Sequence, residues 1–475
     1  MQNTQTAERK VLFVSSFTEF CERYNYYMIQ GLLIFYLIYH FHISENTSAS
    51  LVGTVIGVLY ISAIVGGYIA DKLLTYYTAA FLGSFLMLVG TGCLAVSSSK
   101  HGLFLGLSFV AISTGLIKSN MSSFIGQFYD KSGLSDSHRD FGFNIFYVGI
   151  NLGSFCALFA ASYLRAHYGF AMSFYSSFVL IVLMCFNLWL GKLHFNQYEA
   201  KINFNPILCL KLITIIGLYI AFVFAILSHQ ALANTVIFLA ALLCGVILFK
   251  SAQNKHWPNV GIALGFFGLS ILYWSLYFQI FISILLFIDS TVVHHLFSWK
   301  IQSTQFISAE SVGVLAFGAI MGKIWLSFGR RNRPIHDIDK FNLAFVIMTL
   351  SFIIYYGITA FGNLHAKVPA LGFIIAMVIL AISELSLSAI GLSCVTKIAP
   401  RGFVSLYMSI WLVTIGIGGK IGGEIASTIA IDSNNIYTSR TNMAHGFLLF
   451  IGMAIGGSII CTILRKPIMA AKILR

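Results

Sequence analysis

Charged residues are scarce in this chain, and their scarcity excludes a large class of proteins. Only 9% of the 475 residues are Asp, Glu, Lys or Arg, whereas 58% are hydrophobic. A soluble protein usually carries roughly 25% charged residues, so a soluble globular domain is excluded. Apolar runs of about 18 or more residues recur along the whole chain, which indicates spanning helices and not a barrel. The sequence therefore predicts an all-α integral membrane protein.

Paired cysteines and metal-ligand spacings are lacking as well. The eight cysteines are scattered, form no CxxC pair and lie mostly inside apolar runs. We interpret them as reduced packing residues. The sequence also contains no nucleophile elbow, phosphate loop or metal cluster, which argues against an enzyme and predicts no metal and no cofactor. The polar stretch Met1–Lys10 is not a cleavable signal peptide, because the first apolar run is too long and carries charges in its core.

The net charge of +13 would suit a nucleic-acid partner, but its distribution argues otherwise. With the N-terminus inside, the predicted cytoplasmic segments hold 19 of the 29 Lys and Arg residues, and the external loops hold five. An excess of Lys and Arg in the short cytoplasmic loops sets the orientation of a membrane protein. The sequence therefore predicts a bilayer protein with both termini in the cytoplasm, and no nucleic-acid partner.

The apolar runs predict fourteen spans in a pattern of six, two and six. The expected spans are 12–41, 48–74, 77–97, 102–129, 140–168, 171–193, 208–227, 232–249, 260–288, 302–328, 341–361, 368–398, 402–430 and 444–465. We expect an N-terminal six-helix bundle (1–193), a connector with two extra transmembrane helices (194–259) and a C-terminal six-helix bundle (260–475). Two such halves suggest a transporter with its site at the midplane between them.

The first span carries charges where lipid-facing chemistry favours hydrocarbon. Glu19, Arg23, Tyr26 and Gln30 recur at helical spacing and form one polar stripe, with Glu22 at its edge. A charge at bilayer depth costs at least ~2.5–3.5 kcal/mol on insertion scales. We therefore expect the stripe to face a partner or a water-filled cavity.

Other polar residues lie inside later spans. Lys118 needs a carboxylate or water, unless it snorkels from a helix end. Glu384 is the plainest partner for it across the two halves, and a buried carboxylate is a natural proton carrier. Glu310 is the other midspan acid, with a re-entrant or water-exposed helix end as the alternative. Lys420 and Glu424 are four residues apart and are expected to pair with each other.

The fifth span carries two neighbouring patterns. Tyr147 and Asn151 share one face, while Gly149 and Gly153 form a small-residue seam beside it. Taken alone, these two patterns of the fifth span fit either helix packing or ligand binding.

Five stretches together carry a family resemblance over nearly the whole chain. They are Glu19-x-x-Glu-Arg-Tyr-x-Tyr-Tyr27, Gly66–Asp71, Phe146–Phe155, Tyr273–Gln279 and Ser383–Pro400. In order and spacing they resemble the signature motifs of the proton-dependent oligopeptide transporter family, within the major facilitator superfamily. The two extra central helices are similar to those of bacterial members.

The resemblance implies the major facilitator fold and uptake of di- and tripeptides driven by protons. It implies that proton coupling involves Glu19, Glu22, Arg23, Lys118 and Glu384. It implies a substrate site with Tyr27, Tyr60, Tyr147, Asn151, Gln279, Glu384, Ser388 and Trp411, where Glu384 receives the peptide amino terminus. It also implies a cytoplasmic gate between Lys118 and Glu384, and an outer gate residue, Asp289.

The chain departs from the family pattern at two site positions. Gln30 replaces an arginine associated with the peptide carboxylate and with the aspartate at Asp289, so that aspartate is expected to lack its partner unless His294 or His295 substitutes. Glu310 replaces an asparagine that binds the peptide backbone. The site has lost one positive charge and gained one potential negative charge, so we expect weaker carboxylate recognition and a preference for amine-rich substrates.

The leading hypothesis is a proton-coupled symporter of short peptides. The alternatives are the same fold carrying an amino acid or another amine-bearing solute, and a non-transporting peptide receptor. We expect a monomer in a bacterial inner membrane, with small peptides, protons and lipid as its partners.

Overall fold

The structure is a computed structural model that describes residues 2–195, 198–199, 202–252, 257–330, 335–400, 403–429, 431 and 435–470. Parts of the predicted connector, 196–197, 200–201 and 253–256, lie outside the described residues. The described chain is helical except for loops, an isolated bridge between Val292 and Val368, and a hairpin of β1 (His295–Leu296) and β2 (Trp299–Lys300).

The helices are numbered in chain order. They are α1 (Gln2–Phe35), α2 (Glu45–Lys72), α3 (Tyr76–Val96), α4 (Lys100–Ser132), α5 (Asp136–Phe195), α6 (Pro206–Ser228), α7 (Gln230–Ala252), α8 (Trp257–Tyr277), α9 (Ser283–Thr291), α10 (Ser303–Arg330), α11 (Asp337–Ala360), α12 (Ala370–Ile398), α13 (Val404–Ser427) and α14 (Ile436–Ala470). A π-helical turn, Tyr36–His40, extends α1.

The described helices accommodate the predicted spans. Twelve stretches are long and apolar enough to cross a bilayer. The charged helix α1 is not among them, and α5 is counted once although it contains two predicted spans. The two spans of α5 meet at Gly169, whose φ of 83° and ψ of 177° interrupt the helix. That backbone conformation favours glycine, which explains why the break falls where the sequence places it.

Two helical features differ from the sequence expectation. The polar N-terminal stretch is helical, because α1 begins at Gln2 and not near residue 12. The span predicted at 260–288 is divided into α8 and α9 by a 3₁₀ turn, Phe278–Phe281, and by Ile282, whose φ of −124° and ψ of −96° are not helical. Apolar periodicity continues across this break, so periodicity alone does not reveal it.

The chain forms two compact units. Unit 1 comprises Met1–Tyr36 and Val58–Ala233, and unit 2 comprises Leu37–Gly57 and Asn234–Arg475. The helix α6 thus belongs to unit 1, whereas most of α7 belongs to unit 2.

The small-residue seam of α5 packs α5 against α1 within unit 1. A Cβ atom on Gly149 would lie 2.8 Å from the carbonyl oxygen of Ser16, and one on Gly153 would lie 2.5 Å from that of Phe20. Backbones this close exclude any larger side chain. The seam therefore packs helices and holds the charged face of α1 in a fixed orientation.

Unit 2 is built on the pairings of α8 with α13, α10 with α12, and α11 with both α12 and α14. A buried guanidinium fixes the end of α11. Arg440 on α14 donates to the carbonyl oxygens of Thr359 (2.7 Å), Phe361 (2.8 Å) and Asn363 (2.7 Å). These bonds satisfy carbonyl groups that a helix C-terminus leaves unpaired.

Candidate functional site

The charged stripe of α1 forms a compact ion cluster. Arg23 donates from Nε and Nη2 to the two carboxylate oxygens of Glu22, with Nη2 at 2.7 Å from Oε1. Its Nε lies 3.7 Å from Oε1 of Glu19. All three side chains are buried, and Glu22 is 0% exposed. Such bidentate pairing is the strong form of a charge-assisted hydrogen bond, so Glu22 is the principal partner of the guanidinium.

A second positive charge joins this cluster from α4. Lys118 Nζ lies 4.7 Å from the ring centroid of Tyr60 and 6.0 Å from that of Tyr26. The guanidinium of Arg23 lies over the same Tyr26 ring at 4.4 Å. Lys118 also interacts electrostatically with both carboxylates of the α1 cluster. Lys118 is therefore an interior lysine that faces α1 and α2, and two cations balance two carboxylates within unit 1.

Gln30 has an unusual environment for an amide. Its side chain is 1% exposed, and neither Oε1 nor Nε2 has a hydrogen-bond partner among the described residues. An unsatisfied buried polar group costs about 1–3 kcal/mol, so the few that occur need an explanation. One helical turn earlier, the part-buried Tyr27 interacts electrostatically with Arg23. Gln30 therefore has free capacity to bind water or a polar ligand group.

The two polar residues of α5 have different surroundings. Asn151 is buried, and its Nδ2 donates to the carbonyl oxygen of Tyr147 at 2.9 Å. The Tyr147 side chain is 45% exposed. Asn151 thus satisfies part of its hydrogen-bonding capacity within its own helix, and a substrate contact by either residue stays a prediction.

Two carboxyl groups meet in unit 2. The side chains of Glu310 on α10 and Glu384 on α12 interact electrostatically with each other. Tyr277 OH donates to Glu384 Oε2 at 3.2 Å, and Ser311 Oγ lies 3.5 Å from Glu310 Oε2. Glu310 is 5% exposed and lies inside α10. Glu310 is therefore not at a re-entrant or water-exposed helix end.

Gln279 and Trp411 are two further predicted substrate residues of unit 2. Gln279 is fully buried at the break between α8 and α9, where Nε2 donates to the carbonyl oxygens of Ser275 (3.0 Å) and Gly422 (2.9 Å). Trp411 is also buried and packs edge-on against Phe341. Gln279 therefore connects α8 with α13 in this structure, and substrate contact by either residue stays a prediction.

Ser388 lies one turn along α12 from Glu384 and is part-buried. The shared face that the sequence predicted for the two residues is therefore present. A role for Ser388 in substrate binding stays a prediction.

Two hydroxyl groups donate to the carboxylate of Asp289. Tyr39 OH donates to Asp289 Oδ2 at 3.3 Å, and Ser303 Oγ donates to Oδ1. His294 Nε2 lies 3.4 Å from Ser303 Oγ. Burial lowers the pKa of His294, although the neighbouring aspartate opposes that effect. Asp289 thus accepts from two hydroxyl groups and interacts electrostatically with His294, and the expectation that it lacks its arginine partner unless a histidine substitutes stays a prediction.

The predicted pair Lys420–Glu424 is present on α13. The ammonium contacts Glu424 Oε1 directly, and Ser50 Oγ bridges the two at 2.8 Å from Lys420 Nζ and 2.6 Å from Glu424 Oε1. This contact confirms the structural interpretation of the i, i+4 spacing.

The structure brings together the predicted residues of each unit. In unit 1 these are Glu19, Glu22, Arg23, Tyr60 and Lys118, and in unit 2 they are Glu310 and Glu384. Lys118 belongs to unit 1 and Glu384 to unit 2, and the gate predicted between them stays a prediction. The sequence pattern indicated no role for three hydroxyl groups, those of Tyr39, Tyr277 and Ser303. For Tyr277, its spacing from Tyr273 on one helical face was an available signal.

Comparison with known proteins decides the family. Residues 77–443 match the sequence profile of the POT family, which is more than half of the chain. The chain belongs to the POT family. POT-family chains are membrane transporters and not enzymes, so this chain is an integral membrane transporter.

Relatives align over nearly the full length. The chain is 26% identical to the dipeptide and tripeptide permease A of Yersinia pestis over 464 residues, which is 96% of this chain and 91% of the relative. It is 27% identical to the di-/tripeptide transporter of Lactococcus lactis subsp. cremoris over 484 residues, which is 95% of this chain and 94% of the relative.

Solved structures agree on the fold. A POT family transporter in complex with 5-aminolevulinic acid has a TM-score of 0.83 and 25% identity, covering 98% of this chain and 96% of its own. A bacterial homologue of the human drug peptide transporters reaches a TM-score of 0.84 at 18% identity, which bears on fold alone. The POT-family chain therefore has the all-α major facilitator fold.

Proposed function

We propose that this POT-family protein is a proton-coupled symporter that imports di- and tripeptides by alternating access. The observation that carries the proposal is the buried cluster of Glu19, Glu22, Arg23 and Lys118 in unit 1. Two buried carboxylates that exchange partners between two cations can take up a proton on one carboxyl group and release it when a cation moves closer. The peptide transporters among its relatives support the choice of cargo.

The proposed cycle assigns a role to each polar group. The outward-open protein takes a proton on the α1 cluster or on Glu384, and a peptide then binds between the bundles. The bundles rock, the gate between Lys118 and Glu384 opens toward the cytoplasm, and proton release resets the site. One proton crossing 100 mV contributes ~2.3 kcal/mol to accumulation.

The finer assignments belong to the same proposal. We place the protein in a bacterial inner membrane with both termini cytoplasmic, as a monomer that needs lipid and protons and has no cofactor and no nucleic-acid partner. One solved structure of similar fold is described as tetrameric, at 20% identity, so the oligomeric state requires its own measurement. We retain 1–193, 194–259 and 260–475 as the proposed bundles and connector.

Uptake by reconstituted protein tests the proposal. Proteoliposomes with an acidic outer buffer should accumulate a labelled dipeptide, and a protonophore should abolish accumulation but not counterflow exchange. Peptide binding without uptake of any peptide would instead favour a receptor. Accumulation that is insensitive to the proton gradient would overturn proton coupling.

A second candidate is transport of another amine-bearing solute. Gln30 supplies no positive charge for a carboxylate, whereas Glu310 adds a carboxyl group beside Glu384. One POT-family relative was solved with 5-aminolevulinic acid, an amine-bearing compound that is not a peptide. Thermal stabilisation by a panel of amines and peptides separates the candidates, since only true ligands stabilise the fold by mass action. A preference of several hundredfold for a dipeptide over its C-terminal amide would contradict weakened carboxylate recognition.

A further inference from the structure

A groove of about 660 Å³ opens on the surface of unit 2, between α7, α13 and α14. Its apolar walls include Phe238 on α7, Ile421 on α13 and Leu449 on α14, and all three side chains are exposed. In a membrane transporter, exposed apolar side chains on spanning helices lie against lipid. The groove therefore faces acyl chains, and its volume falls within the range of about 300–1,000 Å³ that is usual for ligand sites.

The same groove contains polar side chains close to helix ends. Glu424 lies in the last turn of the 24-residue helix α13, and Asn234 lies in the second turn of the 23-residue helix α7. Both side chains are exposed, Glu424 by 46%. About 20 residues cross the hydrocarbon core of a bilayer, so the ends of these two helices lie near the depth of the lipid headgroups. Apolar walls combined with polar groups at that depth suit an amphipathic ligand.

The carboxylate of Glu424 has one oxygen engaged and one available. Oε1 accepts from Lys420 Nζ and from Ser50 Oγ, the latter at 2.6 Å. Oε2 has no hydrogen-bond donor among the described residues. Lys420 is buried, and its ammonium balances the charge of the carboxylate. The pair is therefore neutral as a whole and still has a carboxylate oxygen that can accept from a ligand.

This arrangement distinguishes among lipid headgroups. A primary ammonium has N–H donors for Glu424 Oε2, whereas a quaternary ammonium has none. An anionic headgroup without a cation would meet the carboxylate oxygen and be repelled, because juxtaposed like charges are costly. A headgroup without net charge matches the neutral pair, and the amide of Asn234 can donate to its phosphate. Charge complementarity thus favours a zwitterionic phospholipid with a primary amine.

We propose that this groove binds one phospholipid whose headgroup carries a primary ammonium and a phosphate. The ammonium bonds to Glu424 Oε2, the phosphate accepts from Asn234, and an acyl chain lies along Phe238 and Leu449. Ser50 of α2 donates to the same carboxylate, so the bound headgroup supports the contact between α2 and α13. Binding stabilises the folded protein by mass action. The site uses none of the residues assigned to peptide or proton, so it does not depend on the proposed function.

Matched variants separate the groove from the general lipid surface. Ala241→Trp fills the groove, whereas Ala240→Trp adds the same ring at a neighbouring position that does not line it. Glu424→Gln alone leaves the buried ammonium of Lys420 without its counter-charge, which destabilises the fold. The double variant Lys420→Met/Glu424→Gln removes the headgroup contact and leaves no unpaired charge, so it replaces the single variant.

Native mass spectrometry of the purified full chain measures lipid binding directly. The protein in detergent receives an equimolar mixture of dioleoyl phospholipids with ethanolamine, choline and glycerol headgroups, whose acyl chains are the same. The wild type and Ala240→Trp should retain the ethanolamine lipid about tenfold more than the choline lipid, the factor that one hydrogen bond to a charged group supplies. Ala241→Trp and Lys420→Met/Glu424→Gln should show no preference. The ethanolamine lipid should also raise the unfolding midpoint of the wild type but not that of Ala241→Trp.

Three results would overturn the proposal. Equal retention of the ethanolamine and choline lipids by the wild type would show annular contact only. Stronger retention of the glycerol lipid would show binding by surface cations. A preference for the ethanolamine lipid that persists in Ala241→Trp would place the lipid elsewhere. No peptide is used in these measurements, so a failure of peptide transport leaves their outcome unchanged.

Discussion

Neutralising Glu22 is expected to be the most damaging single change in the α1 cluster. In Glu22→Gln, Arg23 loses the carboxylate that accepts from both Nε and Nη2, and the new amide group directs donors toward a guanidinium that has no acceptor. Breaking a buried ion pair on one side costs about 3–5 kcal/mol. Glu19 remains 3.7 Å from Arg23 Nε, so we expect the low end, about 3 kcal/mol.

Glu19→Gln provides the matched comparison on the same helix. Its contact with Arg23 is longer, and Glu19 Oε2 has no hydrogen-bond partner among the described residues. Arg23 keeps its bidentate partner in that variant, so we expect a loss of about 1 kcal/mol. The larger loss expected for Glu22→Gln follows from the observed contacts of Arg23. Helical spacing alone would predict the opposite order, because the i, i+4 rule favours Glu19 as the partner of Arg23.

The measurement combines stability and transport. Denaturant or thermal unfolding in detergent ranks the variants by their loss of stability. In proteoliposomes, uptake driven by a pH gradient is compared with counterflow exchange, and the difference between them reports proton coupling. Glu22→Gln should lose driven accumulation while retaining exchange. The double variant Glu22→Gln/Arg23→Gln should be less destabilised than Glu22→Gln alone, because it leaves no unpaired buried charge.

Three outcomes would refute this reasoning. The first is a larger loss of stability in Glu19→Gln than in Glu22→Gln. The second is a loss in Glu22→Gln within about 0.5 kcal/mol of zero, which is typical of surface changes. The third is strict additivity in the double variant, since residues in one network should couple.

Three further predictions concern packing, the broken helix and pH. Gly153→Val should prevent close packing of α1 on α5 and abolish folded expression, whereas Gly67→Ala, with nothing within 4 Å of its Cβ position, should fold normally by size-exclusion chromatography. Gln279→Ala removes three hydrogen bonds that join α8, α9 and α13 and should lower the free energy of unfolding by about 1–3 kcal/mol. An unfolding midpoint equal to that of the wild type would show that water replaces these bonds. Burial lowers the pKa of His294 from its ordinary value of 6.5, so the unfolded chain binds more protons and stability should fall as the pH drops below that value. His294→Asn should flatten this acid-side loss in a series of melting curves, and an unchanged slope would exclude His294 as its source.

Much of the fold and half of the site follow from local pattern alone. Apolar length located the helices, and the break at Gly169 fell between two predicted spans because glycine tolerates its positive φ. Helical period put Glu19, Arg23 and Gln30 on one stripe, and it paired Lys420 with Glu424. These features depend on neighbours within one or two helical turns, which the sequence displays directly.

Contacts between helices were decided by the tertiary structure. Periodicity states which residues share a face, but not the rotation and depth at which two helices meet. The electrostatic interaction between Glu310 and Glu384 depends on the packing of α10 against α12, and the partners of Asp289 come from the end of α1 and the start of α10. The preference of Arg23 for Glu22 is a choice of side-chain rotamer in a buried space that other helices enclose. The sequence by itself thus determined a charged membrane helix in a transporter, and the tertiary structure decided which charges pair, because pairing depends on how helices pack.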